Sequence, residues 1–207
     1  MRKIKLLTVA IALFLCYNNT SAQRGGKGEG TVLIDAFYGF PNLWSTVIKT
    51  AYENTGEQLN IKIGSTGPFG AKAEYMVSDK MGMGIIFNYA NSSYSWNEDS
   101  YDINNNPIVY NYKISLPRLR FLASFNFHFG DSESFDPFLV IAAGYSSFNA
   151  QATSNDPMFA TETIKGLIPV AFRAGFGMRY FFSDNIGINF EIGLGGPAIQ
   201  GGLSFKI

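Results

Sequence analysis

The chain contains a single histidine, His128, within a stretch that reads RLRFLASFNFHFG from Arg118 to Gly130. Histidine is the usual general base of hydrolytic and acyl-transfer enzymes, where it lies beside a nucleophile and an orienting carboxylate. Its imidazole is also a common metal ligand. Every second residue from Leu119 to Phe129 is apolar, a period that indicates a β-strand with two different faces. What His128 can do therefore depends on what lies on each side of that strand.

Charged residues share the second face of similar alternating segments with glycine. They are Asp35, Lys72, Glu74, Arg118, Arg120, Arg173, Arg179, Glu191 and Lys206, and His128 lies on the same face of its own strand. Burying such a face in the dry core of a soluble sandwich would be costly, whereas the interior of a small barrel can be polar. We therefore predict a polar cluster in the lumen of a barrel. Glu191 is expected opposite Gly177, with Arg179 as its diagonal neighbour.

Two interpretations of this cluster stay open. It can form an anion-favouring constriction, or it can form ion pairs and hydrogen bonds that fill a closed lumen. Eight strands leave almost no free bore, which favours the second interpretation.

Eight segments alternate with a period of two residues, and they predict the architecture. They span approximately 31–39, 69–77, 81–90, 118–130, 138–149, 170–180, 186–194 and 199–207. Tight turns at 78–80 and 183–185 alternate with mostly longer links, a pattern typical of outer-membrane barrels. In hydrocarbon an open sheet edge leaves backbone groups unpaired, so a strand-built membrane protein must close. The predicted fold is all-β: a transmembrane, antiparallel, up-and-down barrel of eight strands.

The N-terminus predicts export. MRKIK is a basic segment, LLTVAIALFLC is an apolar run, and TSA before Gln23 is a small-residue cleavage site, so 1–22 is a predicted signal peptide. Cleavage there leaves no cysteine and therefore no disulfide. The glycine-rich stretch 23–30 is a predicted flexible arm, and 31–207 is the barrel domain. The basic residues are not clustered, so we expect no nucleic-acid partner.

The longer links contain two further candidate features. Residues 41–54 have apolar positions at helical spacing after Pro41, which predicts one short helix in the first extracellular loop. The acidic loop 97–106 lacks the spacing of a calcium loop, so we expect a solvated surface loop, no metal and no cofactor.

Aromatic residues are expected in two girdles at the rims of the barrel, where aromatic rings favour the interface between lipid and water. The outer set contains Tyr89 and Trp96, together with Trp44, Tyr94, Tyr110 and Tyr112; the inner set contains Tyr75, Phe127, Phe129, Tyr180 and Phe182.

Three stretches resemble a known family. GPFGAKAEYMVSDKMGMGIIFNYAN at 67–91 and GFPNLW at 39–44 are similar to stretches in the porin-like outer membrane β-barrel domain family of Gram-negative bacteria. The final LSFKI resembles the C-terminal signal read by the barrel-assembly machinery, carried by Leu203, Phe205 and Ile207, although the usual terminal aromatic is replaced by Ile207. The resemblance covers essentially the whole exported chain. It implies a place in the outer membrane among its lipids and assembly by that machinery. Members of the family serve as structural barrels, small pores, adhesins and, rarely, lipid-modifying enzymes.

The position of His128 decides between these functions. Its strand runs from the acidic loop to the turn at Gly130, so His128 is expected at the periplasmic rim, far from the outer leaflet where lipid chemistry would take place. We therefore expect no enzyme. The predicted function is mainly a structural or surface role with a side-chain-filled lumen, as a monomer, with an extracellular ligand for the loops as an option. The alternatives are a narrow channel for small or apolar solutes and, less favoured, an outer-leaflet lipid-modifying enzyme.

Overall fold

A computed structural model describes residues 28–42, 46, 50, 61–102, 104–166 and 169–207, with Lys165 described by its backbone alone. The predicted signal peptide, most of the predicted arm and Trp44 lie outside the described residues. So does most of the predicted helix at 41–54. No helix in the described part of the chain is long and apolar enough to cross a membrane.

The described chain is built from antiparallel strands. They are β1 Val32–Phe40, β2 Lys62–Ser78, β3 Met81–Tyr101, β4 Pro107–His128, β5 Phe135–Ser154, β6 Glu162–Lys165, β7 Val170–Phe181, β8 Ile186–Leu194 and β9 Ile199–Lys206. The prediction of an all-β, antiparallel fold is confirmed. The count differs from the predicted eight because β6 is a short additional segment.

Strand pairing closes the sheet on itself. Neighbours in sequence pair around most of the sheet, β1 pairs with β9, and a further pairing of β4 with β5 joins the two ends of the order. β6 pairs with β5 at 149–152, beyond the point where β7 begins opposite Tyr145, so β6 continues the line of β7. Eight strands thus form the ring, and β6 lies outside it.

The β3–β4 hairpin is much longer than the sequence predicts. The strand segments expected at 81–90 and 118–130 are too short, because β3 continues to Tyr101 and pairs with Pro107 in an unbroken register. The turn is confined to 102–106, so half of the predicted acidic loop is strand. Both faces of β3 carry polar residues beyond Ala90, so a period of two is absent from this part of its sequence although the backbone pairs.

The two faces of the ring are reversed relative to a water-soluble protein. Large apolar side chains point outward and are exposed, for example Ile85 at 67%, Ile141 at 61% and Phe172 at 68%. Polar and charged side chains point inward and are buried. We use "lower end" for the end of the ring that carries the turns at 79–80, 129–134 and 182–185, and "upper end" for the opposite end, which carries the β3–β4 extension.

Phenylalanine rings cover glycines on the inner face. Phe37, Phe138 and Phe181 lie directly across the sheet from Gly70, Gly177 and Gly187. A Cβ added to Gly177 would lie 2.7 Å from the Cε2 atom of Phe138. The glycines therefore make room for rings inside a narrow barrel, which is why the inner face alternates between very small and very large residues.

Buried apolar side chains form two groups inside the ring. The first, at the lower end, contains Leu33, Met76 and Phe181. The second contains Phe37, Ile86, Leu122, Phe138, Val140, Ala142 and Ala171. The sequence prediction described the inner face as glycine and charge alone, and that is wrong. The lumen is narrow enough for apolar residues from several strands to pack against one another, and alternation along one strand does not show this.

Candidate functional site

Arg179 on β7 is at the centre of a buried ion-pair network in the lower half of the lumen. Its side chain is 0% exposed. The Nε and Nη2 atoms donate to the two carboxylate oxygens of Asp35 at 3.0 and 2.8 Å, a bidentate geometry. Nη2 also donates to Glu74 at 2.7 Å and Nη1 to Asp136 at 3.1 Å. One guanidinium from β7 therefore joins carboxylates from β1, β2 and β5.

His128 completes this network from β4. Its Nδ1 lies 2.8 Å from Asp136 Oδ1 and its Nε2 lies 2.8 Å from Glu74 Oε1, and the residue is 0% exposed. Both ring nitrogens are occupied by carboxylates of the protein, so neither is open to a substrate or a metal ion. No group of three or more His, Cys, Asp or Glu in the described residues is placed to hold a metal ion. We call Arg179, Asp35, Glu74, Asp136 and His128 the lower cluster.

Asp136 was missed by the sequence analysis, which assigned it to the turn after Gly130. In the structure it is the second residue of β5 and is completely buried. The signal was present, because Asp136 extends by one step the inward series of Phe138, Val140 and Ala142.

Lys72 on β2 lies above the lower cluster. Its Nζ lies 4.0 Å from both Asp35 and Glu74, and 3.9 Å from Glu191. It also lies 4.1 Å from the centre of the Phe138 ring, whose other near cation is Arg179. Both cations lie within cation–π distance of this ring, which is favourable for each of them.

Glu191 forms its ion pair with Arg173 rather than with its diagonal neighbour Arg179. It does lie opposite Gly177, as expected. Its partner, however, is Arg173, at 2.6 Å from Nε and 2.5 Å from Nη2, and Nη1 of the same arginine donates to the carbonyl of Pro197 at 3.3 Å. Arg179 is the diagonal neighbour of Glu191 in the register, as expected, but its guanidinium is held by the carboxylates of Asp35, Glu74 and Asp136.

Arg118 and Arg120 on β4 lie in the upper half of the lumen. Arg120 is in one register row with Asn88 of β3 and Ser146 of β5, and all three are buried. Arg120 Nη1 donates to the carbonyl of Gly195 at 2.5 Å, and Arg118 Nε donates to Ser146 Oγ at 3.3 Å. No described carboxylate forms an ion pair with either arginine. We call Arg118, Arg120, Asn88 and Ser146 the upper group.

Lys206 and the terminal strand lie at the lower end. Lys206 is buried, with its Nζ 5.0 Å from the Phe181 ring, and its carbonyl accepts a hydrogen bond of 2.7 Å from Asn185. Leu203, Phe205 and Ile207 alternate outward on the other face and are exposed. Because β9 pairs with both β1 and β8, the segment that resembles an assembly signal also closes the ring.

Six of the predicted girdle residues point outward, whereas four of the outer set, Tyr94, Trp96, Tyr110 and Tyr112, share the inward strand face and their assignment to a girdle is wrong. Exposed outward rings near the lower end are those of Tyr75, Phe127, Phe129, Tyr180 and Phe182, while Tyr89 packs on Phe69 towards the upper end. Trp96 shares the inward strand face of Asn88 and Ser92, and its ring stacks on Tyr112 at 5.4 Å. Its assignment to a lipid-facing girdle is therefore wrong. The register is continuous from Asn88 to Trp96, so an even number of steps keeps the same face.

Comparison with known proteins gives structural similarities alone. No protein-family model matches the sequence, and no curated protein matches it. Among solved structures, the chain is similar to the N-terminal β-barrel domain of OprF from Pseudomonas aeruginosa, with a TM-score of 0.44, 13% identity, and coverage of 87% of this chain and 99% of that one. It is similar to the outer membrane protein OprG of the same organism, with a TM-score of 0.43, 13% identity, and coverage of 89% of this chain and 99% of that one. It is also similar to Ail, the attachment invasion locus protein of Yersinia pestis, with a TM-score of 0.40, 11% identity, and coverage of 87% of this chain and 99% of that one.

Proposed function

We propose that this chain is an outer-membrane β-barrel with a structural or surface role, and that its lumen is filled by its own side chains. The observation that carries the proposal is the combination of an exposed apolar outer face with a fully buried Arg179 bound by three carboxylates. The first feature requires a lipid environment, and the second occupies the path that a solute would need.

The outer face supports the membrane assignment. A continuous belt of exposed apolar side chains in water would promote aggregation, whereas in hydrocarbon it is favourable. On β5 the outward series runs from Phe135 to Tyr145. Those ten steps correspond to a height of about 26 Å for a strand tilted by roughly 40°, close to the apolar band of about 25 Å in such barrels. The closed ring leaves no sheet edge exposed to lipid at this level.

The lumen supports a closed barrel more strongly than a channel. Above and below the lower cluster lie the two groups of buried apolar side chains. A hydrated ion that crossed the barrel would have to displace both groups and break the Arg179 network. His128 is held by two carboxylates of that network, so it supports the barrel rather than catalysis.

The upper end supports the surface role. From Tyr89 to Tyr101, β3 extends by twelve steps, or roughly 30 Å at the same tilt, beyond the apolar band. The extension is ordered by side-chain contacts, including a 3.0 Å hydrogen bond from Tyr112 to Asp156 and an edge contact of Tyr112 with Phe159. An extracellular ligand would meet this surface first. We further propose that the chain works as a monomer and is recognised during assembly through its last strand.

The test is a conductance measurement on protein extracted from the outer membranes of expressing cells into a neutral maltoside. Folding is checked by the faster gel mobility of unheated samples and by β-rich circular dichroism. We expect planar bilayers containing the folded protein to show no steady conductance above the lipid background. Reproducible unitary current steps from the folded protein would overturn the filled-lumen proposal. Recovery of the protein from the soluble periplasm would overturn the membrane assignment.

A further inference from the structure

We infer that the upper group is a binding site for a small oxyanion, a phosphate, sulfate or carboxylate group, inside the upper end of the barrel. The inference depends on the proposed function only for the direction of access, because the site itself consists of lumen side chains. Its test can fail while the barrel remains intact.

The charge balance of the described lumen gives the first argument. Its carboxylates are Asp35, Glu74, Asp136 and Glu191, and its cationic side chains are Lys72, Arg118, Arg120, Arg173, Arg179 and Lys206. Six cations against four carboxylates leave an excess of two positive charges, with His128 not counted. All four carboxylates are engaged by Arg179, Arg173, Lys72 or His128. Arg118, Arg120 and Lys206 are the cations that no described carboxylate pairs with, and Arg118 and Arg120 are the two of them that lie in the upper half of the lumen.

The hydrogen-bond geometry gives the second argument. Arg120 is only 7% exposed and Asn88 only 5%. Arg120 Nε and Asn88 Nδ2 are both donors, both completely shielded from solvent, and neither has a hydrogen-bond partner among the described residues. The two residues are directly opposite each other on β3 and β4. Buried donors cost free energy unless an acceptor satisfies them, and an oxyanion supplies several acceptors at once.

The β8–β9 turn brings a second arginine, Arg173, close to Arg120. The guanidinium groups of Arg120 and Arg173 converge on Gly196 in the β8–β9 turn, where an added Cβ would lie 3.5 Å from Arg120 Nη1 and 3.3 Å from Arg173 Cζ. A residue without a side chain at this turn lets both guanidinium groups approach the backbone, where they donate to the carbonyls of Gly195 and Pro197. Arg118, one inward step higher, is partly exposed and gives access from the upper end.

The floor of the site makes it a binding site rather than a pore. One inward step below the row of Asn88, Arg120 and Ser146 lie Ile86 and Leu122, which are 2% exposed and belong to the larger apolar group. An anion held by Arg120 would face hydrocarbon side chains below it, and a charged solute does not cross such a barrier readily.

The experiment follows the Nε–H signals of the lumen arginines by NMR in maltoside micelles, whose head groups carry no phosphate. Inorganic phosphate replaces chloride at constant ionic strength. We expect the Arg120 Nε–H signal to shift and saturate, with a smaller response from Arg118 and none from Arg179. A second titration uses a short-chain phosphatidylglycerol in place of inorganic phosphate, and a response to only one of the two identifies the source of the oxyanion. A folded barrel whose Arg120 signal responds to neither would overturn the inference.

Two variants and one control sharpen the result. Arg120→Gln removes one charged donor, and we expect phosphate affinity to fall by about tenfold or more, since a hydrogen bond to a charged group contributes roughly 1.5–3 kcal/mol. Asn88→Asp keeps the shape of the row and places a carboxylate beside Arg120, so it should abolish phosphate binding even if Arg120→Gln fails to fold. Lys113→Gln removes the same charge from an exposed position on β4 and should leave the affinity within about twofold of the unmodified protein, as a solvent-exposed charge contributes little. If Lys113→Gln and Arg120→Gln weakened phosphate binding equally, the effect would be general electrostatic attraction, and the inference of a specific site would be overturned.

Discussion

Arg179 and Arg120 are both buried inside the same barrel, yet their surroundings are opposite. Arg179 donates to three carboxylates and has no exposed surface. Arg120 donates to one carbonyl, and its Nε has no partner among the described residues. A buried charge is tolerated when it is paired and fully hydrogen-bonded. The comparison therefore assigns different roles to the same residue type: the lower arginine holds strands together, and the upper one is left with binding capacity.

The apolar layer between the two regions keeps these roles separate. Ile86 and Leu122 lie directly below the upper row, and Phe138 lies against the lower cations. Arg120 itself forms no ion pair in the described residues, and the chain of charges from the lower cluster through Lys72 and Glu191 ends at Arg173, which meets Arg120 at Gly196. We therefore expect a change in one region to have little effect on the other, apart from general stability, since sites without shared partners behave nearly additively.

We expect Arg179→Leu to lower the free energy of unfolding more than any other variant proposed here. Removal of this guanidinium leaves Asp35, Glu74 and Asp136 buried without their common partner, and breaking a buried pair in this way costs about 3–5 kcal/mol. Arg120→Leu removes an arginine of equal size that neutralises no carboxylate, so we expect a loss below about 1 kcal/mol. Denaturant unfolding in micelles, followed by circular dichroism and gel mobility, measures both.

The comparison fails if the two arginine variants lose similar stability, because the lower network would then contribute no more than packing. The conductance of Arg179→Leu gives a second check. We expect it to remain at background in the folded fraction, since the apolar groups above and below still fill the lumen. Unchanged heat stability together with a new conductance would show that the network is a gate and not a structural support.

The second largest loss of stability is expected where a glycine of the inner face makes room for a phenylalanine ring. Gly177→Ala places a methyl group against the Phe138 ring, which contacts Arg179 and Lys72. Overpacking of this kind costs about 1–3 kcal/mol. Gly201→Ala on β9 is the matched control, since its Cβ would lie 3.2 Å from a backbone oxygen and 3.9 Å from the Phe190 ring, which is ordinary van der Waals contact with the ring. The same unfolding assay should show a change within about 0.5 kcal/mol for the control; an equal loss in both variants would mean that the rings do not require the inner glycines.

Sequence periodicity predicts which residues face the lumen, but it does not predict which of these side chains contact one another. Alternation identified the inward positions of Asp35 and Arg179, but not their contact, because the two residues are 144 positions apart and meet only when the ring closes. The register of neighbouring strands could be predicted from the turn between them, and Glu191 does lie opposite Gly177. Its choice of Arg173 over Arg179 depends on three carboxylates that no pair of adjacent strands contains.

The errors at the upper end have a related cause. Beyond the apolar band both faces of β3 carry polar residues, so the pattern that marks a strand disappears from its sequence while the backbone pairing continues to Tyr101. Residue type then misleads as well. Trp96 fits an aromatic girdle by its chemistry, and only the unbroken register shows that it is on the inward face.

The smallest effect is expected at the tip of the β3–β4 hairpin, where a polar cluster lies in water rather than in the lumen. Asp102 accepts hydrogen bonds from the backbone N–H groups of Asn104 and Asn106, each at 2.8 Å, and from the Asn106 side chain at 3.0 Å. The Asn106 side chain, followed by these backbone donors, holds the pKa of Asp102 below its ordinary value of 3.8. Because the pKa is lowered by folding, the carboxylate stabilises the turn fully above the ordinary value, and this contribution is lost as the pH falls through the lowered pKa.

We therefore expect the amide signals of Asn104 and Asn106 to change together as the pH falls through the lowered pKa of Asp102, while the unfolding midpoint of the barrel does not follow that transition. Asn106→Ala removes one donor and should move the transition towards the ordinary value, and Asp102→Asn should abolish it. If the barrel midpoint instead tracks Asp102, the extension and the ring form one cooperative unit. The contrast between a buried network that acts on the whole barrel and an exposed one that acts locally would then be wrong.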